Sequence, residues 1–582
     1  VNFGGRAPLS VITARTAGFC WGVRRAVDLV LAELKKGNGP YAVFGELVHN
    51  PQVLRALEEH GVTVCKDPDS MGSGTLFLRT HGVTISEREQ LSALPLELKD
   101  LTCPKVGRAL SLARKKSGEG HDVLILGDPG HQEVRAILSY GGSTARVLSG
   151  PDEVADLPEL NRPFLLSQTT QDTETWRLTV NALRDRFPDI EETCTICDST
   201  GMRQTELREL CPKVDCVVVV GGRNSANTAR LAAIAESEGL PTFLVETPEE
   251  LDADALSGYE RVLLAAGAST PSWSIRRVRE KLLEIQGSSL RAGPFRRFFQ
   301  SLVFGNFHII PVAFAAGAAG GFLFGGNDWS LSILAASLFL FAVSSVTSIL
   351  ESGYSRPYGL RKQEYLRKHR TILTICSFTA FGGSLWLSLS LDPIWPAVLG
   401  LMLLAFLVYS LPLIRGRNLF SGLRAIPGSR DVMFAGVWSL LLAFLPGLGA
   451  FDGRVSSGPV LWTGTLFFLF LARCLLADLT DLQGDALLGI DTIPIHAGRD
   501  RSMKLFWSCV VLAAILPAAG MAAGFLPLQA SAFAIGLVFL CVGYFVLHSV
   551  SFPSELFKRL IADGSLFIAG AAPALLCWAG GC

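Results

Sequence analysis

The chain has 582 residues, with 52 Lys and Arg against 52 Asp and Glu and a formal net charge of +0. That length suits three or four ordinary domains, and without a basic patch interleaved with aromatics a nucleic-acid ligand is not expected. The even balance hides a split: charges are spread through the first 290 or so residues, and long apolar runs dominate after about 300.

At the start of the chain, Arg6 and Arg15 flank no apolar core with a small-residue cleavage site, so these residues do not read as a signal peptide. The 13 cysteines are expected as thiols or metal ligands in a reducing cytosol rather than as a disulfide framework. Cys376, Cys474, Cys509, Cys541, Cys577 and Cys582 lie in or beside the apolar half and read as packing residues. Cys20, Cys65, Cys103, Cys194, Cys197, Cys211 and Cys216 remain for chemistry.

Three segments of the first half share one plan: a short strand, a loop with a cysteine, then a helix. In the first, VITARTAGFCWGVRRAVDLVLAELKK, the spacing of Val27, Val30, Leu31 and Leu34 predicts a helix. In the second, DLTCPKVGRALSLARKKSGEGHDVLILGD, Leu110, Ala113 and Arg114 carry a helix toward Gly118 and Gly120, and VLILG reads as a buried strand. The third, EETCTICDSTGMRQTELRELCPKVDCVVVVGG, ends in the strand VVVVGG. Cys20, Cys103 and Cys197 fall 83 and 94 positions apart (103 − 20 and 197 − 103), so an α/β unit repeats three times. Alternating strands and helices predict mostly parallel sheets covered by helices.

Polar loops follow the strands at FGELVHN, RTHGV, LGDPGHQEV, SQTTQ, GGRNSANTAR and AAGASTP. Such loops at the carboxyl ends of parallel strands are the usual ligand sites of open α/β folds. Their histidines, hydroxyls, amides and backbone N–H groups suit a diphosphate. Glu133, two residues from His131, reads as a proton donor. Three thiolates from three repeats would leave one metal position open, where four would close it. Cys194 and Cys197 also form C-x-x-C, for which a redox dithiol is the alternative reading. Cys65, Cys211 and Cys216 read as core or helix-end thiols, and His60 and His121 as histidines without a function.

In this order, AGFCWGVRRAV, GELVHNPQV, THGV, TCPKV, GHQEV, QTTQ, TICDSTGMRQ, VVGGRNSANTARL and AAGASTP resemble the motifs of the 4-hydroxy-3-methylbut-2-enyl diphosphate reductases, the LytB or IspH family. The resemblance covers roughly residues 10–285. It implies an α/β fold of three pseudo-repeats around a central [4Fe-4S] cluster held by Cys20, Cys103 and Cys197. It implies that the fourth iron takes the allylic hydroxyl of the substrate. It also implies that His49, His81, His131, Ser225, Asn227 and Ser269 hold the diphosphate, that Thr169 sits by the hydroxyl, and that Glu133 supplies a proton. The product would be isopentenyl or dimethylallyl diphosphate, with electrons from a ferredoxin- or flavodoxin-type donor. The chain departs from the family at Ala226, where a second Ser is usual, and at Gln132, where Pro is common.

After RAGPFRRFFQ, nine apolar stretches of spanning length are expected, near 302–325, 330–350, 372–391, 393–413, 432–450, 458–477, 506–526, 529–550 and 561–580. Loops rich in Lys and Arg alternate with loops nearly free of them, which puts the first half in the cytoplasm and the chain in the cytoplasmic (inner) membrane. Asp478, Asp481 and Asp485 form D-x-x-D-x-x-x-D near one face of a helix, a pattern suited to Mg²⁺ and a diphosphate. With YSLPLIRGR this motif resembles the UbiA family of intramembrane prenyltransferases, which implies an all-α half of nine transmembrane helices. The family's earlier Asp-rich motif is missing: SSVTSILESGYSRPYGLRKQEYLRKHR contains Glu351 and Glu364 but no aspartate.

The expected organisation is a diphosphate reductase domain over 1–286, a basic linker over 287–300 and a UbiA-like transmembrane domain over 301–582. The leading functional expectation is a reductase fused to a UbiA-like membrane domain. A bifunctional enzyme that also transfers a prenyl group and a non-enzymatic iron–sulfur sensor are the alternatives.

Overall fold

A computed structural model of the chain describes residues 10–34, 36–289, 294–324, 329–351, 360–391, 393–415, 428–446, 456–487, 492–549 and 555–580. It forms two compact units, Val1–Arg291 and Ala292–Cys582.

The first unit holds twelve strands: β1 Ser10–Thr13, β2 Tyr41–Phe44, β3 Val62–Cys65, β4 Thr75–Leu78, β5 Glu97–Asp100, β6 Asp122–Leu126, β7 Arg146–Leu148, β8 Pro163–Ser167, β9 Glu191–Thr193, β10 Cys216–Val220, β11 Thr242–Val245 and β12 Arg261–Ala266. Its helices are α1 Trp21–Leu34, α2 Pro51–Glu59, α3 Ile85–Ser92, α4 Pro104–Gly118, α5 Gln132–Tyr140, α6 Thr173–Arg186, α7 Asp198–Leu210, α8 Ala226–Ser237, α9 Ala253–Leu256 and α10 Ser272–Ser289. The strands build three parallel sheets of four, ordered β3-β2-β4-β5, β7-β6-β8-β9 and β11-β10-β12-β1. The central strands β8 and β10 are buried along their whole length, as continuous apolar runs covered on both faces should be.

The three sheets have one topology, and the third is closed by the strand that begins the chain. In β1, Val11 pairs with Val262 and Ile12 with Leu263 of β12. Each cysteine loop therefore leaves the last strand of one sheet and enters the next repeat: β1 to α1 through Cys20, β5 to α4 through Cys103, and β9 to α7 through Cys197.

The second unit is helical. Among the described residues, six helices are long and apolar enough to cross a membrane: Trp329–Leu350, Arg370–Leu389, Ser457–Thr480, Arg499–Ala522, Leu528–Ser549 and Leu556–Ala579. The pair Phe298–Phe304 and Ile309–Phe324, bent by 70°, makes a seventh if counted as one span. Asn306 sits at that bend with φ 62° and bonds the Ser344 carbonyl and the Ser348 hydroxyl through Nδ2. Nine spans were expected. Of the two other expected stretches, 393–413 falls on the helix Ile394–Arg415, and 432–450 on the Ser429–Ser439 helix with its π-helical continuation Leu440–Phe444. The side chains of 408–413 and the residues 447–450 lie outside the described part of the chain. Trp462, Phe470, Phe506 and Phe533 fill the core of this unit, while Ile372, Phe378, Trp386, Phe545 and Trp578 are exposed.

Candidate functional site

The loops after the strands converge on one cavity of about 100 Å³ in the first unit. Cys20, Cys103 and Cys197 line it, and so do His49, His81 and His131, Glu133 and Thr169, and Ser225, Asn227 and Ser269. These residues come from all three repeats.

Helix starts aim many of these groups. Cys103 is the N-cap of α4, His131 of α5, Cys197 of α7 and Ser225 of α8. Cys20 precedes α1, and its Sγ accepts the Val23 N–H at 3.4 Å. Several helix N-termini, each with unpaired N–H groups and a partial positive charge, thus face the cavity and favour anions there.

The thiols of Cys20, Cys103 and Cys197 are free. Burial pushes the Cys103 thiol up, and the neighbouring Cys20 and Cys197 sulfurs push it the same way. Gly22 makes room beside them: a Cβ there would lie 2.7 Å from Cys103 Sγ and 3.8 Å from Cys20 Sγ. Three convergent thiols beside a residue without a side chain fit a thiolate-bound cluster with an open position. Cys194 is an exposed free thiol, whereas Cys211 and Cys216 are buried, with burial pushing Cys216 up to about 12.

The histidines form a tight group. His49 and His81 stack with ring centroids 4.2 Å apart, and His131 meets both edge-on at 5.6 and 5.5 Å. Their ligand atoms lie within 4.8 Å of one another, a spacing that could hold a metal ion or the oxygens of an anion. Burial holds His81 well below the usual imidazole range, and the His49 and His131 rings add to this. Burial, then His49, brings His131 down to about 4. Glu46 holds His49 through Nδ1 at 2.8 Å. His81 Nδ1 and both amide atoms of Asn227 are buried without partners, so these groups are free for a ligand. Ser269 Oγ donates to the His49 carbonyl at 3.2 Å, and Ser225 Oγ accepts from Thr228 N–H at 3.4 Å. Ala226, the departure from the family pattern, lines the same cavity at the first position of α8, where its N–H has no intrahelical partner.

Glu133 is 1% exposed. Thr169 donates to it twice, from N–H to Oε1 at 2.7 Å and from Oγ1 to Oε2 at 2.9 Å. Burial outweighs those bonds and pushes the carboxyl up to about 7. A carboxyl poised there holds a proton in neutral solution and gives it up readily.

These motifs have counterparts in known proteins. A family model described as LytB protein matches residues 11–283. A 4-hydroxy-3-methylbut-2-enyl diphosphate reductase from Geobacter sulfurreducens is 40% identical over 276 residues, which cover 98% of that protein and 47% of this chain. The chain belongs to the LytB family. A second LytB relative, the reductase of the same name from Oleidesulfovibrio alaskensis, is 42% identical over 281 residues, 99% of its length. Among solved structures, a Plasmodium falciparum E-1-hydroxy-2-methyl-but-2-enyl-4-diphosphate reductase is 28% identical with a TM-score of 0.46, covering 50% of this chain and 90% of that one. The LytB match ends before the helical unit begins.

In the helical unit, Arg430 Nη2 donates to both oxygens of Asp478, at 2.8 and 3.0 Å, and Arg430 Nε to Asp431 at 3.1 Å. The side chains of Asp481 and Asp485 lie outside the described residues. Arg473 donates to Asp563 Oδ1 through Nε and Nη2 at 2.8 and 2.6 Å, and His308 Nε2 lies 3.0 Å from Oδ2.

Two residues near the LytB cavity carry no role in the sequence reading. Glu46 lies in GELVHNPQV and Arg203 in TICDSTGMRQ, so the motifs contained them, but only the fold shows what they touch.

Proposed function

We propose that this chain reduces (E)-4-hydroxy-3-methylbut-2-enyl diphosphate to isopentenyl and dimethylallyl diphosphate, on a [4Fe-4S] cluster held by Cys20, Cys103 and Cys197. The observation that carries the reading is the buried Glu133–Thr169 pair on the same cavity as three free thiols. The net reaction takes two electrons and two protons and releases water. When bound, the cluster supplies the electrons and a Lewis-acidic iron for the hydroxyl oxygen.

The protein's own groups do the rest. His49, His81 and His131, the unpartnered Asn227 amide, Ser225, Ser269 and the first N–H groups of α8 bind the diphosphate oxygens. Glu133 keeps a proton at neutral pH, and Thr169 holds its carboxyl in place and relays that proton to the departing hydroxyl. Burial of the site keeps bulk water away from the allylic carbon. An external protein of ferredoxin or flavodoxin type delivers the electrons.

For the helical unit we favour a UbiA-like domain that holds the reductase at the cytoplasmic face of the inner membrane. Arg430 already neutralises Asp478, the first aspartate of the D-x-x-D-x-x-x-D motif, and this weighs against Mg²⁺ there and against prenyl transfer. The test is turnover of the C5 diphosphate by the full chain under anaerobic conditions with reduced methyl viologen. Cys197→Ser should bind less iron and lose nearly all activity. No turnover by a fully loaded wild-type chain would refute the reductase reading.

A further inference from the structure

Arg203 lies on α7, six residues after Cys197, and is 5% exposed. Its Nη2 donates to the Gly18 carbonyl at 2.6 Å. Its Nη1 donates to the Ser199 carbonyl at 2.9 Å and to the Ser199 hydroxyl. Gly18 stands two residues before Cys20, and Ser199 two residues after Cys197. One planar fork thus joins the loop of the first thiol to the first turn of α7, the helix that Cys197 caps, across 185 residues of sequence.

The charge on this fork has no carboxylate partner among the described residues. Its oxygen acceptors are two carbonyls and a hydroxyl, and its Nε–H is buried without an acceptor. Burial pushes the guanidinium below its usual range, and the Cys20 and Cys197 sulfurs and Glu206 act the other way. Glu206 is engaged elsewhere, accepting from the Arg15 and Thr16 N–H groups and the Thr16 hydroxyl. Lys105 bonds Asp198 at 2.7 Å between α4 and α7, but both side chains are exposed and water screens them. A buried guanidinium without a counter-ion is costly, and metal-bound cysteines are anionic.

We infer that Arg203 is a positioning residue that clamps the Cys20 loop to the first turn of α7 and supplies the buried positive charge for the metal-bound thiolates of Cys20 and Cys197, raising the reduction potential of the cluster. The inference rests on the cluster reading above. Reduction adds negative charge, and a fixed cation in a water-poor site favours the reduced state more than the oxidised one.

The test is an anaerobic redox titration of the full chain, followed by electron paramagnetic resonance, with iron counted per chain. Wild-type protein without the cluster's spectrum overturns the underlying reading, and this inference with it. Loaded Arg203→Met should show at least a tenfold lower reduced-to-oxidised ratio at a fixed poise, about 59 mV for a one-electron couple. An unchanged potential at full iron loading overturns the inference. If Arg203→Met takes up no iron, Arg203→Lys and Arg203→Gln decide. Lysine that restores iron binding, or holds a higher potential than glutamine, supports the charge assignment. Lysine that restores neither overturns it.

Discussion

Replacing Glu133 with Gln should stabilise the first unit at alkaline pH while crippling its chemistry. Burial raises the Glu133 carboxyl from 4.5 to about 7. Between those values the unfolded chain has lost the proton and the folded chain keeps it. The folded state then binds more protons, so stability falls as pH rises through this window and levels off above about pH 7. A shift of about 2.5 units at 1.36 kcal/mol per unit gives a penalty of about 3 kcal/mol at pH 8. Gln keeps the acceptor for Thr169 N–H and carries no charge, but the Thr169 hydroxyl must turn and accept instead of donating, which costs up to about 1 kcal/mol. The variant should therefore gain about 2 kcal/mol at pH 8 and little or nothing at pH 5. The assay is hydrogen–deuterium exchange of the 163–171 peptide in the full chain, at equal iron content and corrected for intrinsic rates. Turnover should fall by about 10² to 10⁴ through loss of the proton donor. Equal protection of the two proteins at both pH values would refute the reasoning, as would a variant weaker at pH 8 than at pH 5.

Pyrophosphate should bind more tightly at pH 6 than at pH 8, because His131 is neutral when free, at about 4, and a bound anion raises it. Calorimetry in two buffers of different ionisation enthalpy should show proton uptake on binding, and none would contradict the histidine assignment. Gly22→Ala should lower iron content without changing the circular dichroism, because the added Cβ would sit 2.7 Å from Cys103 Sγ; full iron loading would mean that the thiols stand elsewhere. Asp563→Asn should cost about 3–5 kcal/mol by leaving Arg473 buried without its counter-charge. Thermal unfolding of the detergent-solubilised chain measures this, and an unchanged midpoint would show that the pair contributes little.

Helices and loops of the first unit were legible because their signals are local. Val27 and Val30 of α1 and Ala113 of α4 are buried as their spacing requires. The polar loops after β2, β4, β6, β8, β10 and β12 reach one cavity because parallel strands put their carboxyl ends together. The closure of the third sheet was not legible. The segment VIT reads as the start of its own repeat, yet it pairs with residues about 250 positions later, and no periodicity encodes that. Arg203 was hidden for a related reason, since its partners are mostly backbone carbonyls that any residue carries. His121, read as a histidine without a function, is 4% exposed, packed edge-on against Phe164 and bonded by Arg162. In the helical unit, the apolar run expected over 393–413 falls on the helix Ile394–Arg415.

The pairing of β1 with β12 orders events on the ribosome. β1 leaves the exit tunnel about 250 residues before β12, which ends at Ala266, and its sheet is incomplete until then. Until then Val11 and Ile12 present an unpaired apolar edge, open to wrong partners. Only 31 residues lie between Ala266 and Phe298, where the apolar helices begin. Sheet closure and emergence of the apolar helix that starts at Phe298 therefore fall close together in synthesis. Slow translation once Ala266 has emerged would give the third sheet time to close before the apolar helices follow.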